Sequence, residues 1–143
     1  MVRAIMHGCN GHMGQVITGL IKADEGIELV AGIDKYTGIA NDYPVFESLE
    51  KCDVEADVII DFSNAAAADA LLTYCEEKKM PVVLCTTGLS EEQLAKIPEA
   101  AKKTAVLKSA NMSLGINLLM KLLKEATKVL APAGYDMEIV EKR

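Results

Sequence analysis

Nowhere does the 143-residue sequence approach the ~18 consecutive apolar residues that a membrane-spanning helix needs. Its opening stretch, MVRAIMHGCNG, breaks its short apolar run at His7 and Gly8 and so does not read as a secretory signal. A soluble cytoplasmic protein with no membrane partner is expected. Basic residues are also in deficit. With 15 Lys and Arg against 21 Asp and Glu, the net charge is -6. That balance repels nucleic acid and anionic membrane surfaces overall, while leaving room for a local pocket that takes a small anion. Paired cysteines are missing as well. Cys9, Cys52, Cys75 and Cys85 stand far apart, with no CxxC and no histidine at zinc-ligand spacing. They read as reduced thiols, and no metal site is expected. No internal repeat, linker or charge run divides the chain. At 50% hydrophobic and 25% charged residues it suits one compact domain with a real core.

What is present is an alternation of short apolar runs with longer amphipathic stretches. The runs are Val2 to Met6, Ile27 to Ile33, a short one at Tyr43 to Phe46, Asp57 to Phe62, PVVLC and TAVLK. Between them fall a helical pattern at Gln15 to Lys22, a small helical stretch at Glu47 to Cys52, and an alanine-rich helix at Asn64 to Lys79. A further helix is opened by Ser90, and a long apolar one spans about Ser113 to Leu130, stopped by Pro132 and Gly134. Strands apolar on both faces and separated by helices predict a parallel sheet covered on both sides. The fold class is therefore α/β: a Rossmann-like, doubly wound sheet of five or six strands.

The segment HGCNGHMG, residues 7–14, sits between the first strand and the first helix. There, free backbone N–H groups and the helix dipole favour an anion. Gly8 permits the tight turn, Gly11 allows a pyrophosphate to approach the backbone, and Gly14 allows helix and strand to pack closely. The spacing departs from GxGxxG by one residue, and a structural turn without a ligand accounts for the same pattern. Asp34 ends the second strand twenty residues beyond Gly14, where a carboxylate can accept from an adenosine ribose, and Lys35 beside it offers charge to a 2′-phosphate. The pair points to tolerance of both NADH and NADPH. Polar residues recur at the carboxyl ends of the other strands: Asn10, Asp61 with Ser63, Thr86 with Thr87 and Gly88, and Ser109 with Asn111. In an open α/β sheet, that rim is where ligands bind. His7, just ahead of the turn, reads as a packing or capping residue.

GCNGHMG, the DFS of residues 61–63, CTTG at 85–88, SANMSLGIN at 109–117 and EIVEK at 138–142 occur in an order that resembles the cofactor-binding part of the dihydrodipicolinate reductase family. The resemblance covers essentially the whole chain. It implies a cytoplasmic, homotetrameric enzyme of the diaminopimelate route to lysine. Such an enzyme passes a hydride from NADH or NADPH to a cyclic dicarboxylate, hydroxy-tetrahydrodipicolinate, giving tetrahydrodipicolinate. Carried over by position, Gly8, Cys9, Asn10, Gly11, His12 and Met13 would wrap the pyrophosphate, and Asp34 and Lys35 would meet the adenosine ribose. Cys85, Thr86 and Thr87, with Ser109, Ala110, Asn111 and Met112, would line the nicotinamide side. His12 departs from the family, which usually has Arg or Lys there.

After its EIVEK strand the family continues with a His-His pair, a nearby Lys and a DAPSGT loop that bind the dicarboxylate and supply acid groups. Here Arg143 stands where the first of those histidines is expected. Tyr135 to Val140 alternates apolar and acidic residues, as in a strand with one solvated face that needs partners. The implied organisation is a dinucleotide-binding domain over 1–130, with 131–143 starting a substrate and tetramerisation domain that is otherwise absent. No catalytic residue is assigned, and the chain is expected to bind cofactor with little or no turnover. Two other readings stand beside this one. In the first, the chain is a binding module whose association responds to nicotinamide cofactor. In the second, it is a structural remnant whose glycine turn only connects elements.

Overall fold

The structure, a computed structural model, describes residues 1–140. Arg143 and the end of the EIVEK segment lie outside the described residues. Contacts divide the chain into two compact units, the first Met1–Ala110 and the second beginning at Asn111.

In the first unit the apolar runs form β1 (Val2–His7), β2 (Ile27–Ile33), β3 (Val45–Phe46), β4 (Val58–Asp61), β5 (Val82–Leu84) and β6 (Val106–Lys108). Every pairing is parallel and the order is β3-β2-β1-β4-β5-β6. The chain winds outward from β1 in one direction and then, from β4, in the other. The order therefore reverses between β1 and β4, which opens a crevice at their carboxyl ends. Valine and isoleucine supply these strands because branched side chains fit a pleated surface buried on both sides.

Helices α1 (His12–Lys22), α2 (Ala68–Lys78) and α3 (Glu91–Ala100) cover the two faces. On the α2 and α3 face the core comprises Ile5, Ile33, Ile59, Leu71, Leu72, Val82 and Leu84, together with Cys75. On the α1 face Met6, Cys9 and Tyr43 pack with Ile17, Leu29 and Phe62. Thr18 ties α1 down through the Tyr43 hydroxyl, 2.9 Å away, while its Oγ1 also donates within the helix to Gly14 O at 2.8 Å. Ser90 caps α3 reciprocally: its Oγ accepts from Gln93 N at 3.2 Å while Gln93 Oε1 accepts from Ser90 N at 3.0 Å. Such a box stabilises a helix by about 1 kcal/mol.

Differences from expectation are local. The helix expected over 64–79 begins as a 3-10 turn at Ala65–Ala67, because Asn64 Oδ1 draws the Ala66 amide into a tight cap at 3.1 Å. The stretch expected over 47–52 is a single 3-10 turn, Leu49–Lys51. In the second unit α4 (Leu114–Leu130) starts where Ser113 Oγ accepts from Ile116 N at 3.3 Å. The strand expected from Tyr135 does not form: residues 135–140 join no ladder among the described residues. Alternation alone cannot make a strand, whose backbone groups are satisfied only by a neighbour. No helix among the described residues is long and apolar enough to cross a membrane.

The tightest packing in the first unit lies between α1 and the turn before it. A Cβ on Gly14 would stand 2.1 Å from Gly8 O and 2.7 Å from Cys9 O, both rigid backbone atoms. Gly19, on the same helix, has nothing within 4 Å of its Cβ position. Gly14→Ala is expected to lower unfolding free energy by about 3 kcal/mol in a denaturant titration, since backbone cannot yield as a side chain does. Gly19→Ala is expected to raise it by about 0.5–1 kcal/mol through helix propensity alone. Equal effects of the two substitutions would refute this account of the turn.

Candidate functional site

The crevice between β1 and β4 is occupied by a cleft of about 360 Å³, within the roughly 300–1,000 Å³ range of small-ligand sites. Gly8 and Gly11 line one side, Asp34 and Lys35 the end of β2, and Phe62, Ser63 and Asn64 the end of β4. Gly8 is forced by the fold: its φ is +81°, and an added Cβ would meet Phe62 O at 2.8 Å. Gly11 is different, for its Cβ position meets only Gly8 O, at 3.3 Å. The space beside it is open to a ligand.

Gly11 is also the N-cap of α1. The helix's own bonding starts with Gln15 N donating to Gly11 O at 3.0 Å. This leaves the amides of His12, Met13 and Gly14 without an intrahelical acceptor. No side chain caps this end and no acid lies in its first turn. The arrangement suits an anion brought in from outside, such as a pyrophosphate.

Asp34 lines the cleft, and its oxygens already serve the protein. Oδ2 accepts from Asn10 N and Oδ1 from Tyr36 N, each at 3.0 Å. The carboxylate thus braces the glycine turn against the loop after β2. A carboxylate has about four acceptor sites, so it retains capacity toward a hydroxyl. The Asn10 side chain extends the brace, donating to Tyr36 O and accepting from Asn41 Nδ2 at 2.8 Å. Gln15 completes it through Cys9 O at 2.8 Å. Sequence reading misses Tyr36 and Asn41, because the loop between β2 and β3 carries no periodic signal, and takes Gln15 only as the start of a helix.

The remaining expected residues divide. Lys35 is exposed at the cleft's edge, and His12 and Met13 are exposed on the first turn of α1. Cys9 takes part only through its backbone: its side chain is fully buried on the α1 face, and burial pushes the thiol up to about 11. Cys85 and Thr86 are buried at the end of β5, and burial raises the Cys85 thiol too. Thr87 is exposed beyond them. Lys108 donates to Thr86 O at 3.2 Å. Ser109 donates its amide to Leu84 O at 3.1 Å and Ala110 ends the first unit. Asn111 and Met112 open the second unit, where Asn111 Oδ1 accepts from Ser113 N at 2.8 Å.

Below the cleft is a cluster that no linear motif announces. His7 and Asp61 are register partners at the ends of β1 and β4, and His7 Nδ1 lies 2.8 Å from Asp61 Oδ1. The same oxygen accepts from Ser63 Oγ at 2.6 Å and Ser63 N at 3.2 Å. Burial pushes the Asp61 carboxyl up, but hydrogen bonds from His7 and Ser63 outweigh it and hold the group below the usual aspartate range. His7 is thus neither helix cap nor plain packing. Both residues are visible in the sequence as strand ends, and only the strand order brings them together.

Residues 2–112 match the family described as dihydrodipicolinate reductase, N-terminus. Among curated proteins, the chain is 49% identical over 142 residues to a 4-hydroxy-tetrahydrodipicolinate reductase from Clostridium novyi, covering 99% of this chain and 56% of the relative. It is 51% identical over 142 residues to one from Caldanaerobacter subterraneus subsp. tengcongensis, covering 99% and 55%. The chain therefore spans about half the length of the curated relatives it matches. Among solved structures, a dipicolinate-bound dihydrodipicolinate reductase from Paenisporosarcina sp. TG-14 superposes with a TM-score of 0.80 at 26% identity. That match covers 90% of this chain and 54% of the other. Sequence, fold and the glycine turn agree, and the chain belongs to the dihydrodipicolinate reductase family.

Proposed function

We propose that this chain is the NADH- or NADPH-binding part of a 4-hydroxy-tetrahydrodipicolinate reductase, with 1–130 as the dinucleotide-binding domain and 131–143 leading into a substrate domain. The single observation that carries the reading is the start of α1. Its unpaired amides open beside Gly11 on a cleft at the point where the strand order reverses. The pyrophosphate would lie against the amides of His12 and Met13 and the backbone of Gly8 to Gly11. The adenosine ribose would reach Asp34 and Lys35. Cys85, Thr86, Thr87, Ser109 and Ala110 would face the nicotinamide. When bound, the nicotinamide supplies a hydride; the chain's own residues bind, orient and shield it.

The acceptor in this reading is the cyclic dicarboxylate named in the relatives' activity. Holding it takes cations, and its reduction takes a proton donor close to the reacting atoms. Lys35 lines the cleft, while Lys51 is paired with Glu47 and Lys108 donates to Thr86 O. The 143 residues alone are therefore proposed to bind cofactor with little or no turnover.

Calorimetric titration with NADH and NADPH tests the reading. Gly11→Val is expected to stay folded, with stability changed by no more than about 1 kcal/mol, while Kd for NADH rises at least roughly tenfold. Asp34→Ala is expected to raise Kd for NADH several-fold more than Kd for NADPH, since only the free 2′-hydroxyl gains from a carboxylate acceptor. Neither heat nor thermal shift from folded wild-type protein with either dinucleotide would overturn the proposal.

A further inference from the structure

The cleft has an unfavourable charge for the ligand assigned to it. Asp34, Glu47 and Glu50 line it with Lys35, Lys51 offsets Glu47 in an ion pair, and the ionised Asp61 lies buried beneath with no exposed surface. A dinucleotide brings two phosphate charges into this field, where partial burial weakens screening. His7 is the group placed to offset them. It ends β1, lines the cleft, and keeps only 10% of its side-chain surface exposed. Its Nδ1 is turned to the Asp61 carboxylate, which can only accept, so Nδ1 carries a proton. Nε2 makes no hydrogen bond among the described residues, yet is not sealed from solvent.

We propose that His7 is a further cofactor-binding residue, which takes up a proton on Nε2 as the dinucleotide binds and donates it to a phosphate oxygen of the ligand. This rests on the dinucleotide reading above. The balance is simple: solvent supplies one proton, Nε2 gains it, and Nδ1–H stays on Asp61. The floor of the cleft then changes from one net negative charge to none.

The surroundings act in the same sense. Asp61 on β4 and Asp34 at the end of β2 are carboxylates, as are Glu47 and Glu50 after β3. Glu50 is held low by a hydrogen bond from Ser48 and by its own amide. The stretch running into α2 presents Ala66, Ala67, Ala70 and Leu71 to the cleft, none of which ionises. Lys35, which is exposed, and Lys51, which is paired with Glu47, oppose an imidazolium. Affinity should therefore rise as pH falls through the range in which histidines charge.

NADH is the probe, because NADPH carries a 2′-phosphate that titrates in the same range. The chain has two histidines, so His12→Asn is the control for His7→Asn. Calorimetry between pH 6 and 8, in buffers of different ionisation enthalpy, counts protons directly. Wild type is expected to take up a substantial fraction of a proton at pH 7.5 and to bind NADH several-fold tighter at pH 6.5 than at pH 8. His7→Asn should bind more weakly, with a flat profile and no uptake. His12→Asn should keep the uptake whatever its affinity.

Saturable binding by wild type without proton uptake, or uptake that disappears with His12, overturns this inference and leaves the dinucleotide reading standing. No binding at any pH overturns both. Should His7→Asn fail to fold, the imidazole ¹⁵N spectrum of the wild-type chain decides. A shift of Nε2 to its protonated position on adding NADH supports the proposal, and an unmoved signal refutes it.

Discussion

Everything at the carboxyl edge of the sheet depends on how closely α1 sits against the end of β1. The contact between Gly14 and the carbonyl of Gly8 leaves no room for even one methyl group. That approach fixes where the first turn of α1 begins and therefore where its unpaired amides open. It also makes the three glycines of the turn unequal. Gly8 and Gly14 are required by backbone packing, whereas Gly11 faces space that the protein itself leaves open. A motif that looks uniform in sequence thus divides into a part that packing requires and a part that packing leaves open.

A second consequence concerns preorganisation. The turn is not left to find its shape when a ligand arrives. Asp34 holds the Asn10 amide, Asn10 holds the loop after β2 through Tyr36 O and Asn41, and Gln15 reaches back to Cys9 O. Ordering such a loop on binding would subtract from affinity, so building the order into the free protein preserves it. Asp34 braces the turn and, under the proposed function, also accepts at the ribose end of the cleft. Its sequence position signals only the second, because a side-chain bond to a backbone amide 24 residues away leaves no pattern in composition or spacing.

The legible part of the fold was what local periodicity writes. Two-sided apolar runs became the strands of a parallel sheet, and Ser90 and Ser113 opened helices as their positions promised. What was not legible depends on neighbours distant in the chain. Tyr135 to Val140 alternates as a strand does but joins no ladder among the described residues, since pairing and not alternation makes a strand. Cys9 lies within the glycine motif, yet its side chain belongs to the core. His7 and Asp61, 54 residues apart, become partners only once β1 and β4 are known to be adjacent.

That pair is also hard to explain as a stabilising device. Two residues earlier on the same strands and facing the same way, the register partners are Ile5 and Ile59, both fully buried in the core. An apolar pair at the next position would continue that core without desolvating a carboxylate. Exchanging buried ionic pairs for well-packed apolar ones is often neutral or stabilising. The sheet instead changes from an isoleucine pair to a histidine and an aspartate at the level where the crevice opens. The change of chemistry coincides with the change of surroundings, from sealed core to ligand cleft. An imidazole held by one nitrogen and open at the other is costly as packing. It suits a floor whose charge can follow that of the molecule above it.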